Sequence, residues 1–245
     1  MGRQLVAFLT GAGISTDSGI PDYRGPHGLW TRHPEYEKLA TYDYYMTDPE
    51  IRRRSWQMRR EVFDLRPQPN AAHRAIASLA DSGAAAVRVI TQNVDGLHQA
   101  AGLPDRKVLE LHGTTRSVVC TSCEARGPIE DVFARMDAGE ADPPCSVCGG
   151  ILKTATVMFG EALDAAVLLK AGAIAQECTV MLAVGTSLQV YPAAGLVDLA
   201  AAAGARLVIV NATPTPYDDL AAEVVREPIG EALPTLLQEL RRSEA

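Results

Sequence analysis

The chain has 245 residues, 47% of them hydrophobic and 22% charged, ordinary globular values that suit one large domain or one domain with a smaller insertion. Thirty acidic against 23 basic residues give a net charge of −7, which disfavours non-specific binding to nucleic acid or an anionic membrane and leaves a basic peptide open as a partner. No apolar run approaches the roughly 18 residues of a spanning helix and the N-terminal run lacks a cleavage site, so a soluble, cytoplasmic protein is expected.

In chain order, "QLVAFL" (4–9) reads as a buried strand and runs into "TGAGISTDSGIPDYR". Gly11 and Gly13 fit a strand-to-helix turn whose backbone N–H groups face a phosphate. Thr16 stands where the dinucleotide fingerprint has a third glycine, so a tight turn without a ligand stays open. Ser15, Asp17, Ser18, Asp22 and Arg24 crowd this loop, and Arg24 can pair with a phosphate or hold the loop closed. Residues 25–64 hold most of the aromatics, both tryptophans and the basic run "IRRRSWQMRREVF", and look like a helical insertion. Residues 70–83 have helical spacing, and "AAVRVI" (85–90) is a second buried strand.

"TQNVDGLH" (91–98) follows that strand and is either a satisfied turn with a helix starting at Asp95 or the floor of a site. His112 in "ELHGT" follows a short strand, where an isolated histidine is more often structural. Further strands are expected at 154–159, 179–184 and 206–210, with helices at 161–177 and 191–204 and a loop over 211–219. Strand and helix alternate and the strands are apolar on both faces. That predicts a doubly wound α/β fold, a parallel sheet covered on both sides.

Residues 116–151 break the alternation and look too poor in apolar residues to fold on a core of their own. They hold Cys120, Cys123, Cys145 and Cys148, two C-x2-C pairs separated by 21 residues. Paired thiolates two residues apart grip one ion from a tight turn, and two such turns complete a tetrahedral Zn²⁺ site. Four protein ligands leave no open position, so the zinc is expected to be structural. Cys178 precedes a buried strand and reads as a packed small hydrophobe.

"GAGISTDSGIPDYR", "TQNVDGLH", "ELHGT", the two C-x2-C pairs, "VMFGEAL", "VGTSLQVYP" and "IVN" occur in one order. Taken together, from about residue 5 to residue 237, the chain resembles the sirtuins, NAD-dependent protein-lysine deacylases. The resemblance implies a Rossmann-like NAD-binding domain (1–24, 65–115 and 152–245) and a small domain made of a helical module (25–64) and a zinc module (116–151). NAD and an acyl-lysine peptide would bind between them. By motif position, His112 would be the catalytic base. Asn93 would hold a water and the nicotinamide ribose, Asp95 would recognise the nicotinamide carboxamide beside Val94, and Gln92 would contact ribose. His98 and Thr91 would be turn residues. Further NAD contacts would come from Gly11, Ala12, Gly13, Asp22, Tyr23, Arg24, Gly185, Thr186, Ser187, Asn211 and Ile229. Tyr23 replaces a usual Phe, and Glu227 a usual Gly, which puts local contacts there in doubt.

Val157 and Val190 would lie on the two strand edges that sandwich the peptide through main-chain hydrogen bonds, and Phe159 would line the lysine tunnel with His112. In the implied reaction the acyl oxygen attacks C1′ of the nicotinamide ribose and nicotinamide leaves. His112 then takes a proton from the ribose, and the products are free lysine, nicotinamide and O-acyl-ADP-ribose. Deacetylation is the expected activity. The helical module resembles a desuccinylase-like branch whose Tyr-x-x-Arg holds an acyl carboxylate. Arg59 stands at the arginine position and Trp56 at the tyrosine position, so desuccinylation or demalonylation stays an alternative. The remaining arginines there (52, 53, 54 and 60) read as a solvated helix face. ADP-ribosyl transfer to protein and a non-catalytic NAD and zinc sensor are further alternatives. The complete set Asn93, Asp95 and His112 argues against the sensor. A dehydrogenase is disfavoured because the acidic residue expected on a second strand about 20 positions after the glycines is not evident.

Overall fold

The computed structural model describes residues 4–22, 25 and 28–243. Strand β1 (Leu5–Thr10) leads into a 3-10 turn, Ala12–Ser18. The helical module follows as α1 (Leu29–Arg32), a 3-10 segment Pro34–Ala40, α2 (Tyr42–Thr47) and α3 (Pro49–Asp64). Next come α4 (Ala71–Ser82), β2 (Ala86–Thr91), α5 (Leu97–Ala100) and β3 (Val108–Glu110). β4 (Gly113–Cys120), β5 (Arg126–Pro128), α6 (Ile129–Asp137) and β6 (Leu152–Thr156) form the cysteine-bearing module. α7 (Ala165–Glu177), β7 (Val180–Val184), α8 (Gly195–Ala202), β8 (Arg206–Val210), β9 (Glu223–Val225) and α9 (Ile229–Ser243) complete the fold.

Six strands make a parallel sheet in the order β3-β2-β1-β7-β8-β9. Because strand side chains alternate between faces, Val6 and Phe8 of β1 pack with α4 and α9, while Ala7 and Leu9 pack on the other side with α7 and α8. β7 and β8 repeat the pattern, with Leu182 and Val208 on the first face and Met181 and Ile209 on the second. Both faces are therefore dry, which is why these strands read as unbroken apolar runs. Truncating a fully buried ring such as Phe8 to Ala would cost about 3–5 kcal/mol. α4 starts where Asn70 Oδ1 accepts from Ala72 N–H and His73 N–H, and it stops at Gly83, whose φ of 73° suits a left-handed cap.

The run expected as a strand over 154–159 does not join the parallel sheet. Its strand, β6, pairs antiparallel with β4 in a three-stranded sheet ordered β5-β4-β6. That sheet extends from Gly113 to Thr156, wider on both sides than the span 116–151. Nor is the module without a core. Val118, Ile129, Val132, Phe133 and Leu152 close around Trp56, which α3 of the helical module inserts into them. Arg52 seals the same joint through a 2.8 Å bond to Asp142, and Tyr45 Oη donates to Leu152 O at 2.8 Å. Helix α6, unrecognised in the sequence, supplies three of these apolar side chains.

Candidate active site and metal centre

The strand order reverses direction between β1 and β7, the topological switch point at which open α/β sheets form a crevice beyond the strand ends. Gly11, Gly13 and Gly185 meet there. A Cβ on Gly11 would lie 2.7 Å from Gly185 O, one on Gly13 2.8 Å from Gly185 Cα, and one on Gly185 2.3 Å from Ile14 N. Gly185 also has a φ of 62°. The glycines thus let two loops cross in backbone contact. Their amide protons do not face a phosphate as expected: Gly11 N–H donates to Val184 O and Gly13 N–H to Gly185 O. The residue after the turn begins a 3-10 segment and not an α-helix, with Ala12 half-buried at its start.

Around this crossing the polar residues interlock. Gln92 Nε2 donates to Thr186 Oγ1 at 3.0 Å and joins the β2 and β7 loops. Asn93 Nδ2 donates to Gly11 O and to Ser15 Oγ, both at 3.1 Å. Ser15 Oγ donates in turn to Asp95 Oδ2 at 2.8 Å, while Asp95 Oδ1 accepts from Leu97 N–H at 2.9 Å. Both Asp95 oxygens are therefore held, and the start of α5 is capped by the same carboxylate. Val94 O, between them, accepts from Thr115 N–H and Thr115 Oγ1 at 3.0 and 2.8 Å. Ser15 is buried and central, yet the sequence marks it only as one of several polar residues in a loop. Thr115 carries no signal there at all, since its role depends on β4 passing under the turn.

His112 Nδ1 lies 2.9 Å from Gln92 O. A carbonyl only accepts, so Nδ1 carries the proton and Nε2 keeps its lone pair. Burial pushes the ring's pKa below its usual 6.5, opposed by the Gln92 bond, so the ring is neutral at neutral pH. His112 O accepts from Val157 N–H at 2.8 Å, which places β6's continuation beside the histidine.

Phe159 is 40% exposed and meets Trp30 edge-on at 5.0 Å, while its N–H and C=O bond to Ala40 and Tyr42 of the helical module. One side of the 157–159 segment is thus already paired within the protein. Val190 and Ser187 are half-buried on the loop after β7. Asn211 directly follows β8, and its side-chain amide donates to Thr213 O at 2.8 Å. Ile229 packs partly against the core at the start of α9, and the exposed Glu227 accepts from Arg226 N–H. Asp22 accepts from Gly25 N–H at 3.1 Å. Tyr23 and Arg24 lie outside the described residues.

Trp56 and Arg59 part company. Trp56 is fully buried in the joint between α3 and the cysteine module, and its Nε1 has no hydrogen-bond partner among the described residues. It offers no surface to a substrate, because the bulk that could fill a pocket fills the core. Arg59, one turn on, is half-buried, and its Nε donates to Thr154 Oγ1 of β6 at 3.0 Å.

The four cysteine sulfurs all lie within 4.8 Å of one another, with Cys120–Cys148 at 3.5 Å and Cys123–Cys145 at 3.8 Å. Zn–S bonds of about 2.3 Å in a tetrahedron require sulfurs about 3.8 Å apart, so the set fits one zinc ion. Cys178 lies apart and donates to Ala175 O.

Residues 11–192 match the Sir2 family. The chain is 69% identical over 239 residues to NAD-dependent protein deacetylase 2 of Streptomyces coelicolor, covering 98% of this chain and 99% of the relative. It is 42% identical to the NAD-dependent protein deacetylase of Thermodesulfovibrio yellowstonii, covering 96% and 90%. Among solved structures, a Sir2 complex with a p53 peptide and NAD+ superposes with a TM-score of 0.85 at 36% identity, covering 97% of this chain and 93% of that one. A Sir2 bound to an acetylated peptide gives 0.84 at 34%, with the same coverage. The chain belongs to the Sir2 family.

Proposed function

We propose that this chain is an NAD-dependent protein-lysine deacetylase that acts on acetylated lysine in peptide segments and releases nicotinamide and O-acetyl-ADP-ribose. The observation that carries the reading is His112, whose Nδ1–H is fixed on Gln92 O so that Nε2 is the free base. NAD, when bound, supplies a glycosidic bond whose cleavage frees nicotinamide and leaves an electrophilic C1′. His112 Nε2 takes a proton from a ribose hydroxyl. Asn93 and Asp95, cross-braced by Ser15, form the wall that holds the nicotinamide end and keeps water from competing. Gln92, Thr186, Ser187 and Asn211 line the strand ends and hold ribose and phosphate. The peptide lies along Val157 and Val190, with Phe159 beside the lysine chain.

Cys120, Cys123, Cys145 and Cys148 would hold a structural zinc that keeps the small sheet in place. The partners are acylated-lysine proteins, and neither nucleic acid nor membrane; no helix among the described residues is long and apolar enough to cross a membrane. The protein works in the cytoplasm.

The test is His112→Ala and His112→Tyr with an acetyl-lysine peptide and NAD. Deacetylation should fall by about 10²–10⁴-fold while thermal stability holds. An unchanged rate in the folded variant rejects the assignment. A carboxylate-binding variant of the reaction would rest on Arg59 alone, since Trp56 is in the core. Acetyl-lysine should therefore be preferred over succinyl-lysine, and Arg59→Met should leave that preference in place.

A further inference from the structure

Beneath the Asn93–Asp95 turn lies a closed chain of polar groups that the reaction does not touch. The Thr10 hydroxyl gives its single proton to Thr91 Oγ1 at 2.8 Å. It can therefore only accept at its 3.0 Å contact with His98 Nε2, so that nitrogen carries a proton. Thr91 Oγ1 in turn accepts the Asn93 backbone N–H at 3.0 Å. On its other side the His98 ring meets His73 edge to face, with centroids 5.0 Å apart. His73 Nδ1 lies 3.0 Å from Asn70 Oδ1, and Asn70 Nδ2 donates to Ile14 O and Ser18 Oγ. One hydrogen-bonded path, interrupted only by the ring contact, thus joins the cap of α4 to the backbone of Asn93.

Both rings are fully buried, and burial holds both neutral. A neutral His98 with its proton on Nε2 has a bare Nδ1, and that atom has no partner among the described residues. A phenylalanine would fill the same space without an unsatisfied buried nitrogen. The ring's one polar contribution is the Nε2–H donated to Thr10.

We propose that His98 is a positioning residue. Through Thr10 and Thr91 it fixes the backbone of Asn93, and with it the wall that receives the nicotinamide end of NAD. The proposal rests on the reading of Asn93 and Asp95 given above. His98 reaches no substrate itself, because 1% of it is exposed and two hydroxyls stand between it and Asn93.

The experiment uses the zinc-loaded full chain and measures KM for NAD, KM for an acetyl-lysine peptide and the inhibition constant of nicotinamide. His98→Phe should raise the NAD KM and the nicotinamide constant about tenfold, the equivalent of one buried hydrogen bond, with the peptide KM unchanged within about twofold. His98→Gln, whose amide N–H can still donate to Thr10, should recover most of that loss. Thr10→Val should match His98→Phe, and combining the two should add no more than about twofold, because both break one path. If His98→Phe does not fold, Thr10→Val carries the expected loss and His98→Gln the expected near-wild-type constants. Wild-type NAD and nicotinamide constants in the folded variants overturn the proposal. So does a parallel rise in the peptide KM, or a Gln variant no better than Phe. Asn93→Ala, run alongside, separates the two levels. If it is inert, the pocket reading itself is wrong; if it is defective while His98→Phe behaves as wild type, only the positioning role is lost.

Discussion

Acid should unfold this protein through two residues that never meet solvent. His73 and His98 are 0% and 1% exposed. Burial lowers their pKa values from 6.5 to about 4 and about 3, with Asp95 opposing and Arg74 reinforcing the shift at His73, and His73 adding to the shift at His98. In the unfolded chain both rings titrate near 6.5. Between that value and the folded ones, the unfolded state binds more protons than the native state, so stability rises with pH across this window. The contribution is complete above pH 6.5 and is lost as pH falls towards 4 and then 3. Going from pH 7 to pH 5 removes about 2 kcal/mol per ring, or about 4 kcal/mol together. For a chain of this length that lowers the melting temperature by about 10 °C. Urea unfolding at pH 7 and pH 5, in the wild type and in a His73→Gln/His98→Gln variant, measures it. Thiolate ligands also lose zinc as protons compete, and that loss is common to both proteins, so the difference between them isolates the histidines. An equal loss in both proteins refutes the reasoning, as does a wild-type loss below about 1 kcal/mol.

Three further outcomes follow from the geometry. The acid limb of kcat/KM should lie below pH 6.5, because burial lowers the pKa of His112 and the base works deprotonated; a limb above that value contradicts its neutral state. Zinc removal by a chelator should release one ion per chain and expose four fast-reacting thiols. Cys178, whose thiol burial pushes up to about 11, should react only after unfolding. Gly185→Ala should cost about 3 kcal/mol or abolish soluble protein, since its Cβ would sit 2.3 Å from Ile14 N; a wild-type unfolding midpoint would show that the loop crossing relaxes freely.

What the sequence discloses depends on whether the relevant physics is local. β1, β7 and β8 are legible because a strand buried on both faces is apolar along nearly its whole length, broken here only at the ends by Thr10 and Arg206. The run at 154–159 looks the same, but an apolar run does not say which sheet it joins, and β6 went to the small one. β3 and β9 have three residues each, too few to show a period. The metal centre is legible because chelation fixes ligand spacing within a turn. The burial of Trp56 is not, since the residues that enclose it come from β4, α6 and β6, at least 60 positions away. The glycine turn shows the same limit: its crowding is visible in sequence, but the partner that needs the glycines is Gly185, over 170 residues on. His98 and His112 cannot be ranked by polarity alone. Only the sheet decides that one ring is sealed under Thr10 while the other stands at the strand ends with Nε2 free.

One strand explains why a metal without an open position matters to this site. β4 starts directly after His112, holds Val94 O through both polar groups of Thr115, and ends at Cys120. β4 runs from Gly113, opposite Thr156, through a register break after Thr114 to Cys120, opposite Leu152, and the four thiolates at its far end would fill every position of the ion and leave none for a reacting atom. The ion's effect has to be mechanical. It closes the 120–148 loops, which bury Cys120 and Cys145 with Phe133 and Trp56, and so fix the far end of β4 against α3. The near end is then held between the Asn93–Asp95 wall and the Val157 segment. The helical module presses on the same segment through Ala40, Tyr42 and Trp30. Both small modules therefore converge on the two sides of His112. The parallel sheet alone would supply the floor of the crevice, and these insertions supply its far wall.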